Sequence, residues 1–592
     1  MKMERMTSCD SKKILRIENL DRISELPEPI ILHILSYLPL EDSGRASILS
    51  KTWKNFCSLY PILHFDHNLF ALQSLVSSKE GCGPHVYLIR DMFLDYVDCH
   101  LTRVSQLDSP IRKLSLTVVI NDSLYYSRVD KWLEFVKQMN VEDLCIFVQI
   151  VDFWWPVRAS AGNALYKFPF SLLASKSLRS VYIRGCMLGH ETFASEVSFS
   201  SLQRLCLSHV SIGENVMETL ATRCQGIEIL VLDNCAIRPN VLELSKFPKL
   251  KKALIEIEDG WIDCVDITNT NLECFKCDAE SECHIGPNDC ARIREFTLVD
   301  CIVNHPNLFK DLTATFPLIE EIEVVDIRDT DTLNATSNVL KKLKFVSLGP
   351  ICVEQVYIDC PSLTLLDFTT YGMTNLYVDC PKLRVFRYEG DTVPERLFIR
   401  SVADLEESSC SISTYGAYDE SWFFQLRVFL ELIMASSTNV SLLFSLPMET
   451  FKPEEVKSVQ ASPQYDVNLS LNLINPSMQN VAALVDAVLW IIRPTTLTVN
   501  YRTYYLVEYL CENLVKKSQD KIGGEQIHQP CWLHQIEDFQ VETSLDISDI
   551  KQNLASLPGQ CRAIANRGDH GASRNKICFK FHWCYKLEKT TI

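Results

Sequence analysis

One motif recurs along most of the chain: an apolar residue, two variable residues, a second apolar residue, one variable residue and a third apolar residue. It occurs twelve times, and successive first positions are on average about 25 residues apart, the spacing of a solenoid built from repeated units. A unit of one strand and one return segment cannot bury its apolar edge alone, so neighbouring units are predicted to stack into a parallel sheet. The first positions are Ile111, Val141, Leu178, Leu202, Ile227, Leu250, Leu272, Ile293, Ile319, Leu343, Leu363 and Leu383.

The cysteines keep a fixed phase with this motif, which predicts small buried side chains at repeat positions. Three residues before a first position stand Cys224, Cys290, Cys360 and Cys380, and eight residues after one stand Cys186, Cys235 and Cys301. The array resembles the cysteine-containing type of leucine-rich repeat. That resemblance implies a horseshoe whose parallel sheet lines the concave side.

Side chains alternate along a strand, so residues two, four and six places after a first position are predicted to point to the concave side. Mixed charge with scattered aromatic residues on that side suits a protein partner. The candidates for target binding are Tyr182, Arg184, Arg204, Glu321, Glu323, Phe345 and Arg387.

A second organised stretch, Asp21 to Asp66, precedes the repeats. Its apolar residues follow the spacing of an amphipathic helix, bounded by prolines: Ile30, Ile31, Ile34, Leu35 and Leu38. Two more short helices are predicted, from Glu41 to Leu49 and from Lys51 to Leu59. Three short helices bury little on their own, so apolar surface is left for a partner to cover.

The order of these residues resembles an F-box, with Leu26-Pro27, the run from Ile31 to Pro39, and Leu49-Ser50-Lys51 followed by Trp53. The resemblance implies docking on a small Skp-type adaptor and, through it, on the cullin of a ubiquitin ligase. The alternative is an ordinary three-helix core anchored by Trp53. The adaptor contacts that the family implies, where this sequence matches, are Leu26, Pro27, Ile31, Ile34, Leu38, Pro39 and Trp53.

The predicted fold class is α/β: a small three-helix F-box followed by a leucine-rich-repeat solenoid and a C-terminal cap region. Short segments at 530–539 and 577–583 look like the C-terminal segments of plant F-box proteins with leucine-rich repeats. The expected organisation is a mobile leader over 1–20, the F-box over 21–66, a connector over 67–110, the repeat array over 111–390, and continued irregular repeats with the cap over 391–592.

Composition restricts the partners. The net charge of −17 disfavours binding to nucleic acid, because phosphate contacts require exposed lysine and arginine. The first residues lack the apolar centre of a signal peptide, and no apolar run reaches the length of a membrane span. We therefore expect no nucleic-acid or membrane partner and an intracellular location, in the cytoplasm, the nucleus or both, with the 24 cysteines mostly reduced.

Catalytic signatures are missing from the sequence: it has no glycine-rich phosphate loop, no His-Glu-x-x-His and no Gly-x-Ser-x-Gly. Cys274, Cys277, Cys283, His284 and Cys290 have a spacing compatible with zinc. However, Cys274 and Cys277 are three residues apart on a predicted strand and so should point to opposite faces. We expect a non-catalytic protein with no metal and no cofactor.

The sequence favours the substrate-recognition subunit of a Skp–cullin–F-box ubiquitin ligase, which holds its target on the repeats. Two alternatives remain. One is a protein-binding scaffold whose F-box acts outside ubiquitination. The other is a receptor for a small molecule, a hormone or an inositol phosphate, in the repeat bowl, which would need clustered lysine and arginine on the concave side.

Overall fold

A computed structural model describes most of the repeats, parts of the C-terminal region and only a few residues of the predicted F-box. The residues described are 26–27, 30–31, 34, 48, 51, 62–71, 85–106, 111–120, 125–150, 165–169, 172–173, 175–189, 201–257, 262–268, 270–284, 291–303, 312–325, 332–347, 353–400, 405–414, 420–433, 437–445, 466–474, 478–500, 504–519, 531–543, 561–563 and 576–583. The chain divides into two compact units, Met1–Pro239 and Asn240–Ile592.

The first unit alternates strands with helices or extended return segments. Its elements are β1 Ile62–Asp66, α1 His85–Ser105, β2 Lys113–Ile120, α2 Tyr126–Gln138, β3 Asp143–Ile150, β4 Tyr166–Lys167, β5 Ser180–Arg184, β6 Cys186–Leu188, β7 Arg204–Ser208, β8 Ser211–Ile212, α3 Val216–Arg223, β9 Ile229–Asp233 and β10 Ala236–Ile237. Strands β1, β2, β3, β5, β7 and β9 pair in that order, all parallel. The short strands β4, β6, β8 and β10 form a second parallel sheet on the return side.

The second unit continues the same plan with more strands. Its elements are β11 Val241–Glu243, β12 Lys252–Ile257, β13 Cys264–Asp266, β14 Cys274–Ala279, β15 Glu282–His284, β16 Glu295–Val299, β17 Ile302–Val303, α4 Leu312–Thr315, β18 Glu321–Val325, β19 Thr332–Thr336, β20 Lys342–Val346, β21 Gln355–Asp359, β22 Leu365–Thr370, β23 Asn375–Asp379, β24 Val385–Gly390, β25 Arg396–Arg400, β26 Glu407–Thr414, α5 Glu420–Ile433, β27 Ser437–Ser445, β28 Val467–Ile474, α6 Met478–Ile492, β29 Thr496–Asn500, α7 Tyr504–Gln519, β30 Ile536–Thr543, β31 Cys561–Ala563 and β32 Lys576–Trp583.

The main sheet of this second unit is parallel from β12 to β29, in the order β12, β14, β16, β18, β20, β22, β24, β26, β27, β28 and β29. Two shorter parallel sheets lie on the return side, β11-β13-β15-β17 and β19-β21-β23-β25. The fold is the α/β repeat solenoid that the sequence predicts, and helices replace the extended return segments where the units lengthen after β26.

The repeat positions are buried in both units, with one correction to the predicted phase. Eleven of the twelve predicted first positions start a unit as expected and are buried. In the tenth unit, however, Leu343 pairs with Leu366 and Phe345 pairs with Phe368, so the first position is Leu340 and not Leu343. Both leucines satisfy the apolar pattern, and only the strand register distinguishes them.

Three of the cysteines that follow the repeat phase donate to backbone carbonyls inside the stack. The thiol of Cys235 donates to the Leu207 carbonyl at 3.3 Å, and that of Cys301 donates to the Ala279 carbonyl at 3.3 Å. Cys360 bonds the Ala335 carbonyl in the same way. A small side chain with a weak donor suits these sites, since it fills the core and satisfies an oxygen that water cannot reach. The predicted Cys290 lies outside the described residues.

The parallel ladder ends in an antiparallel pair near the C-terminus. Strand β32 runs antiparallel to β29, and β30 runs antiparallel to β32. One carboxylate joins the helices behind these strands: Asp486 on α6 accepts hydrogen bonds from the Tyr509 hydroxyl at 2.6 Å and the Trp532 indole nitrogen at 2.7 Å. Burial and then the nearby carboxylate raise the pKa of Tyr509, so its hydroxyl keeps the proton that it donates.

Replacing Asp486 with Ala should loosen this end of the chain, because it leaves the donors of Tyr509 and Trp532 without their acceptor. Two such donors cost roughly 2–4 kcal/mol in the free energy of unfolding. Amide hydrogen exchange of α6 and α7 should speed up, while exchange in β14 and β16 stays as in the wild type. The exposed Glu512→Gln on α7 is the control. Unchanged protection in Asp486→Ala would show that these bonds do not stabilise α6 and α7.

Candidate functional site

Four of the seven predicted adaptor contacts fall on described residues. The Pro27 carbonyl accepts hydrogen bonds from the amides of Ile30 and Ile31, at 2.9 and 3.2 Å, so a helical turn begins directly after Leu26-Pro27. Pro27 is exposed, whereas Leu26 and Ile34 are partly exposed. Ile31 is 0% exposed, so its side chain packs inside the protein and does not present a contact surface. The predicted contacts Leu38, Pro39 and Trp53 lie outside the described residues.

The predicted target contacts of the first unit share one region. Along each main-sheet strand, buried residues alternate with residues that point away from the core. We call the side of the sheet that carries the latter its open face. Tyr182 and Arg184 stand on β5, and Arg204 starts the neighbouring β7. Tyr182 lies in register between Cys145 and Cys206, both partly exposed. Three of the seven predicted contacts are therefore brought together on this open face.

Arg184 lies at a tightly built corner of this open face. Its guanidinium carbon is 4.9 Å from the centre of the Phe147 ring, and its buried Nε has no hydrogen-bond partner among the described residues. Gly185 follows with φ of 72°, and a Cβ there would lie 2.2 Å from the Val148 carbonyl oxygen. Only glycine fits, because both the conformation and the space exclude a side chain.

Ser208, His209 and Asp233 meet at the same corner but do not form a catalytic relay. Ser208 is 2% exposed, and its hydroxyl donates to the Asp233 carboxylate at 2.6 Å, so its hydrogen is directed at the carboxylate. A nucleophilic serine needs a base as its hydrogen-bond partner and an approach for a substrate. His209 has φ of 52°, and its amide donates to the Asp233 carbonyl.

The predicted contacts of the second unit belong to a ladder of ion pairs between neighbouring strands. Glu321 pairs with Lys342 at 2.8 Å, and Glu323 pairs with Lys344 at 2.6 Å. Three strands further along, Arg387 lies 3.1 Å from Glu407 and 3.9 Å from Asp367. Each such exposed pair contributes roughly 0–1 kcal/mol to stability. The predicted contacts Glu321, Glu323 and Arg387 therefore already have partners of opposite charge.

Phe345 is not part of that open face, and its prediction as a target contact is wrong. It is 2% exposed, lies in register with Phe368 and points into the core. The physical reason is the register of the tenth unit: counted from Leu340, Phe345 is the third apolar position. Its outward neighbours on β20 are Lys344 and Val346.

An exposed aromatic row on the return side was missed by the sequence reasoning. The rings of Tyr357, Tyr377 and Phe398 stack face to face on β21, β23 and β25, with centres 4.5 and 4.6 Å apart. The signal was available, because Tyr-x-Asp-Cys-Pro occurs both at Tyr357 and at Tyr377. Stacked rings on adjacent strands stabilise the sheet, and their outer edges remain accessible.

Cys274 and Cys277 separate as predicted, and two of the cysteines with zinc-like spacing, Cys277 and Cys283, join a different group. Cys274 faces Glu295 on the open face, with its sulfur 3.3 Å from a carboxylate oxygen. Cys277 points inward, where its sulfur, that of Cys283 and that of Cys301 all lie within 4.8 Å of one another. Cys301 comes from the following unit, so the spacing within one unit did not reveal this cluster.

Residues 101–410, more than half of the chain, match the family model described as At1g61320/AtMIF1, LRR domain, and residues 23–65 match the F-box domain. The chain belongs to the At1g61320/AtMIF1 LRR-domain family. Its relatives in Arabidopsis thaliana place it among plant F-box proteins with leucine-rich repeats. The F-box match lies within the stretch 21–66 in which the sequence predicts that module.

Three of these Arabidopsis thaliana relatives show how far the similarity extends. The chain is 26% identical to the F-box/LRR-repeat protein At2g42720 over 371 residues, which cover 60% of this chain and 72% of the relative. It is 28% identical to the F-box protein At3g59000 over 269 residues, 45% of each protein. It is 34% identical to the F-box/LRR-repeat protein At3g58930 over 165 residues, 28% of this chain and 31% of the relative. The chain thus spans about half the length, or less, of several relatives that it matches.

Among the described helices, none combines the length and the hydropathy that a membrane-spanning segment requires.

The site formed by Arg184, His209 and Asp233 should make the free energy of unfolding of the protein fall at acid pH. The pKa of His209 is lowered to about 4, mainly by burial; the Asp233 carboxylate partly opposes this shift and the Arg184 guanidinium adds to it. A histidine in an unfolded chain has a pKa of about 6.5, so protons bind the unfolded state preferentially below that pH. The contribution of His209 is therefore complete above pH 6.5 and is lost as the pH falls towards 4.

We expect His209→Asn to lose less stability than the wild type between pH 7 and pH 4.5, measured as the midpoint of thermal unfolding. Asparagine is chosen because it tolerates the left-handed backbone at this position. The exposed His64→Asn, in the same unit, should follow the wild type. Parallel pH curves for His209→Asn and the wild type would contradict the assignment.

Proposed function

We propose that this protein is the substrate-recognition subunit of a Skp–cullin–F-box ubiquitin ligase. The observation that carries the proposal is the order of two matched domains: an F-box over residues 23–65 and a leucine-rich-repeat domain over 101–410. F-box domains generally bind Skp-type adaptors, and F-box proteins with leucine-rich repeats generally act as non-catalytic adaptors. One end of the chain then attaches to the ligase, and the repeats hold the protein to be modified.

The adaptor is proposed to bind the surface around Leu26-Pro27 and Ile34. These residues are accessible at or near the start of the first helical turn, unlike the buried Ile31. Trp53, Leu38 and Pro39 join this surface by their resemblance to family contact positions. Apolar side chains that remain exposed on so small a module can bind a partner, because the interface buries them against the partner's apolar groups.

The target is proposed to bind the open face of the first unit, through Tyr182, Arg184 and Arg204. Tyrosine and arginine are the residue types that most often dominate protein interfaces. On the second unit, Glu321, Glu323 and Arg387 already have partners of opposite charge, and a target would have to replace those ion pairs. We therefore assign them to steering and selectivity and assign the binding energy to the first unit.

A receptor for a polyanionic small molecule is less well supported. Such a ligand needs several unpaired cations that converge on one point. In the second unit, Lys342, Lys344 and Arg387 each pair with a carboxylate on a neighbouring strand. A scaffold outside ubiquitination is distinguished by experiment, since it would purify without a cullin.

The double variant Leu26→Ala/Pro27→Ala, and separately Trp53→Ala, should lose binding to purified Skp-type adaptor by at least about 30-fold, as expected when an interface anchor worth roughly 2 kcal/mol or more is truncated. Thermal unfolding of the repeats should be unchanged, because their core uses other residues. Titration calorimetry and thermal melts of the same samples measure the two effects.

Leu69→Ala is the matched control, because Leu69 is an exposed leucine just after the F-box match and outside it. It should bind the adaptor as the wild type does. Full adaptor binding by the Leu26/Pro27 variant would refute the assignment of this stretch as an F-box.

Tyr182→Ala and Arg204→Ala should reduce recovery of target proteins several-fold while adaptor binding remains. Affinity purification of each full-length variant in complex with the adaptor, followed by quantitative mass spectrometry, gives both numbers from one sample. Phe398→Ala removes an exposed aromatic ring from the return side of the second unit and serves as control. Loss of the same proteins in Phe398→Ala, with Tyr182→Ala unaffected, would place the target on the return side.

A further inference from the structure

We propose that Cys277, Cys283 and Cys301 form a three-thiolate site for one soft d10 metal ion, Zn²⁺ or Cu⁺, in the core of the second unit. The three side chains are each 0% exposed, and their sulfur atoms all lie within 4.8 Å of one another. They come from three different segments: β14 of the main sheet, β15 of the return sheet, and the turn between β16 and β17. An ion there would join two sheets and two successive repeat units.

The separation of the sulfurs suits such an ion. A metal that binds thiolates at about 2.3 Å places its sulfur ligands roughly 4 Å apart, whether the site is trigonal or tetrahedral. Sulfurs that already lie within 4.8 Å of one another reach this geometry by small rotations of the side chains. Soft sulfur ligands select Zn²⁺ and Cu⁺ over hard ions such as Mg²⁺.

Oxygen ligands are also at hand for an ion that needs a fourth partner. Ser281 is 3% exposed, and its hydroxyl lies 3.9 Å from the Cys277 sulfur. The Ala279 carbonyl oxygen lies 3.3 Å from the Cys301 sulfur. Three sulfurs and one of these oxygens give the four-coordinate arrangement of Zn²⁺, whereas three sulfurs alone suit Cu⁺.

The repeat itself does not require three cysteines here. Neighbouring main-sheet strands place Ile255 and Leu298 in register with Cys277, and the neighbouring return strand places Val265 in register with Cys283. Aliphatic side chains thus serve the same core positions in adjacent units. Only Cys301 has the ordinary repeat role, shared with Cys235, of donating to a carbonyl inside the stack.

Binding replaces the proton of each ligating thiol with a bond to the metal, and the three protons leave to solvent. Because the sulfurs are fully buried, the ion enters as the unit folds, and its binding energy adds to the stability of the fold. The site does not depend on the proposed ligase function, since none of its residues lies on the F-box or on an open face.

The test uses the full-length chain, expressed together with its adaptor in medium supplied with either zinc or copper. The protein is then purified under reducing, oxygen-free conditions, which keep copper as Cu⁺. After dialysis against a weak chelator, one of the two ions should remain at about one equivalent per chain, with three sulfurs at about 2.3 Å in its X-ray absorption spectrum. An added oxygen neighbour identifies the Zn²⁺ arrangement. Its absence identifies the Cu⁺ arrangement.

Two variants and one control make the result specific. Cys283→Val and Cys277→Val use side chains like those of the neighbouring strands, so they should fold and lose at least about tenfold in retained metal. Cys235 lies in the first unit, outside the cluster, and has the same repeat role as Cys301. The control variant Cys235→Ser should therefore keep the metal. Retention of neither ion by the wild type, a first shell with fewer than three sulfurs, or equal metal in Cys283→Val would each overturn the proposal. The wild-type spectrum decides the matter even if a variant fails to fold.

Discussion

The backbone of each main-sheet strand is satisfied by the equivalent strand of the next unit, and the rest of the structure depends on this in-register pairing. Ile322, Leu343 and Leu366 lie side by side on successive strands, and each is buried because its neighbours in the row are buried. Because the parallel strands pair in register, residues at equivalent repeat positions lie next to one another in rows across the sheet. Such rows have open ends, and in the second unit the antiparallel strands β32 and β30 end the ladder after β29.

The same rows organise the surfaces that carry the proposed function. On the open face of the second unit, several charges of opposite sign lie on neighbouring strands, as in Glu323 beside Lys344. On the first unit the corresponding rows hold Tyr182 between two cysteines and Arg184 between Phe147 and Ser208. A partner would have to break these ion pairs, whereas Tyr182 and Arg184 are of the residue types that most often dominate protein interfaces. The difference between the two faces follows from which residue types the register brings together.

The fold was largely predictable from the sequence, because a periodic apolar pattern and a fixed cysteine phase constrain every unit at once. The predicted phase was wrong in the tenth repeat, where two leucines fit the first position of the motif. Leu340 and Leu343 both fit the pattern, and the choice between them reverses the face of Phe345. Within the candidate adaptor surface, Ile31 matches the family pattern and yet is buried. Helical spacing predicts an apolar stripe, but it does not tell which residues of the stripe pack in the core and which stay exposed.

The sequence by itself determined the period, the order of an F-box-like module before a repeat array, and the segregation of Cys274 from Cys277 on a strand. These are local properties, set by the alternation of side chains and by spacing along the chain. Only the tertiary structure decided the stacked rings of Tyr357, Tyr377 and Phe398, and the cluster in which Cys301 meets two cysteines of the preceding unit. Both depend on distances between segments about twenty residues or more apart, and those distances are fixed by strand register and by how far each return segment travels before the next strand begins.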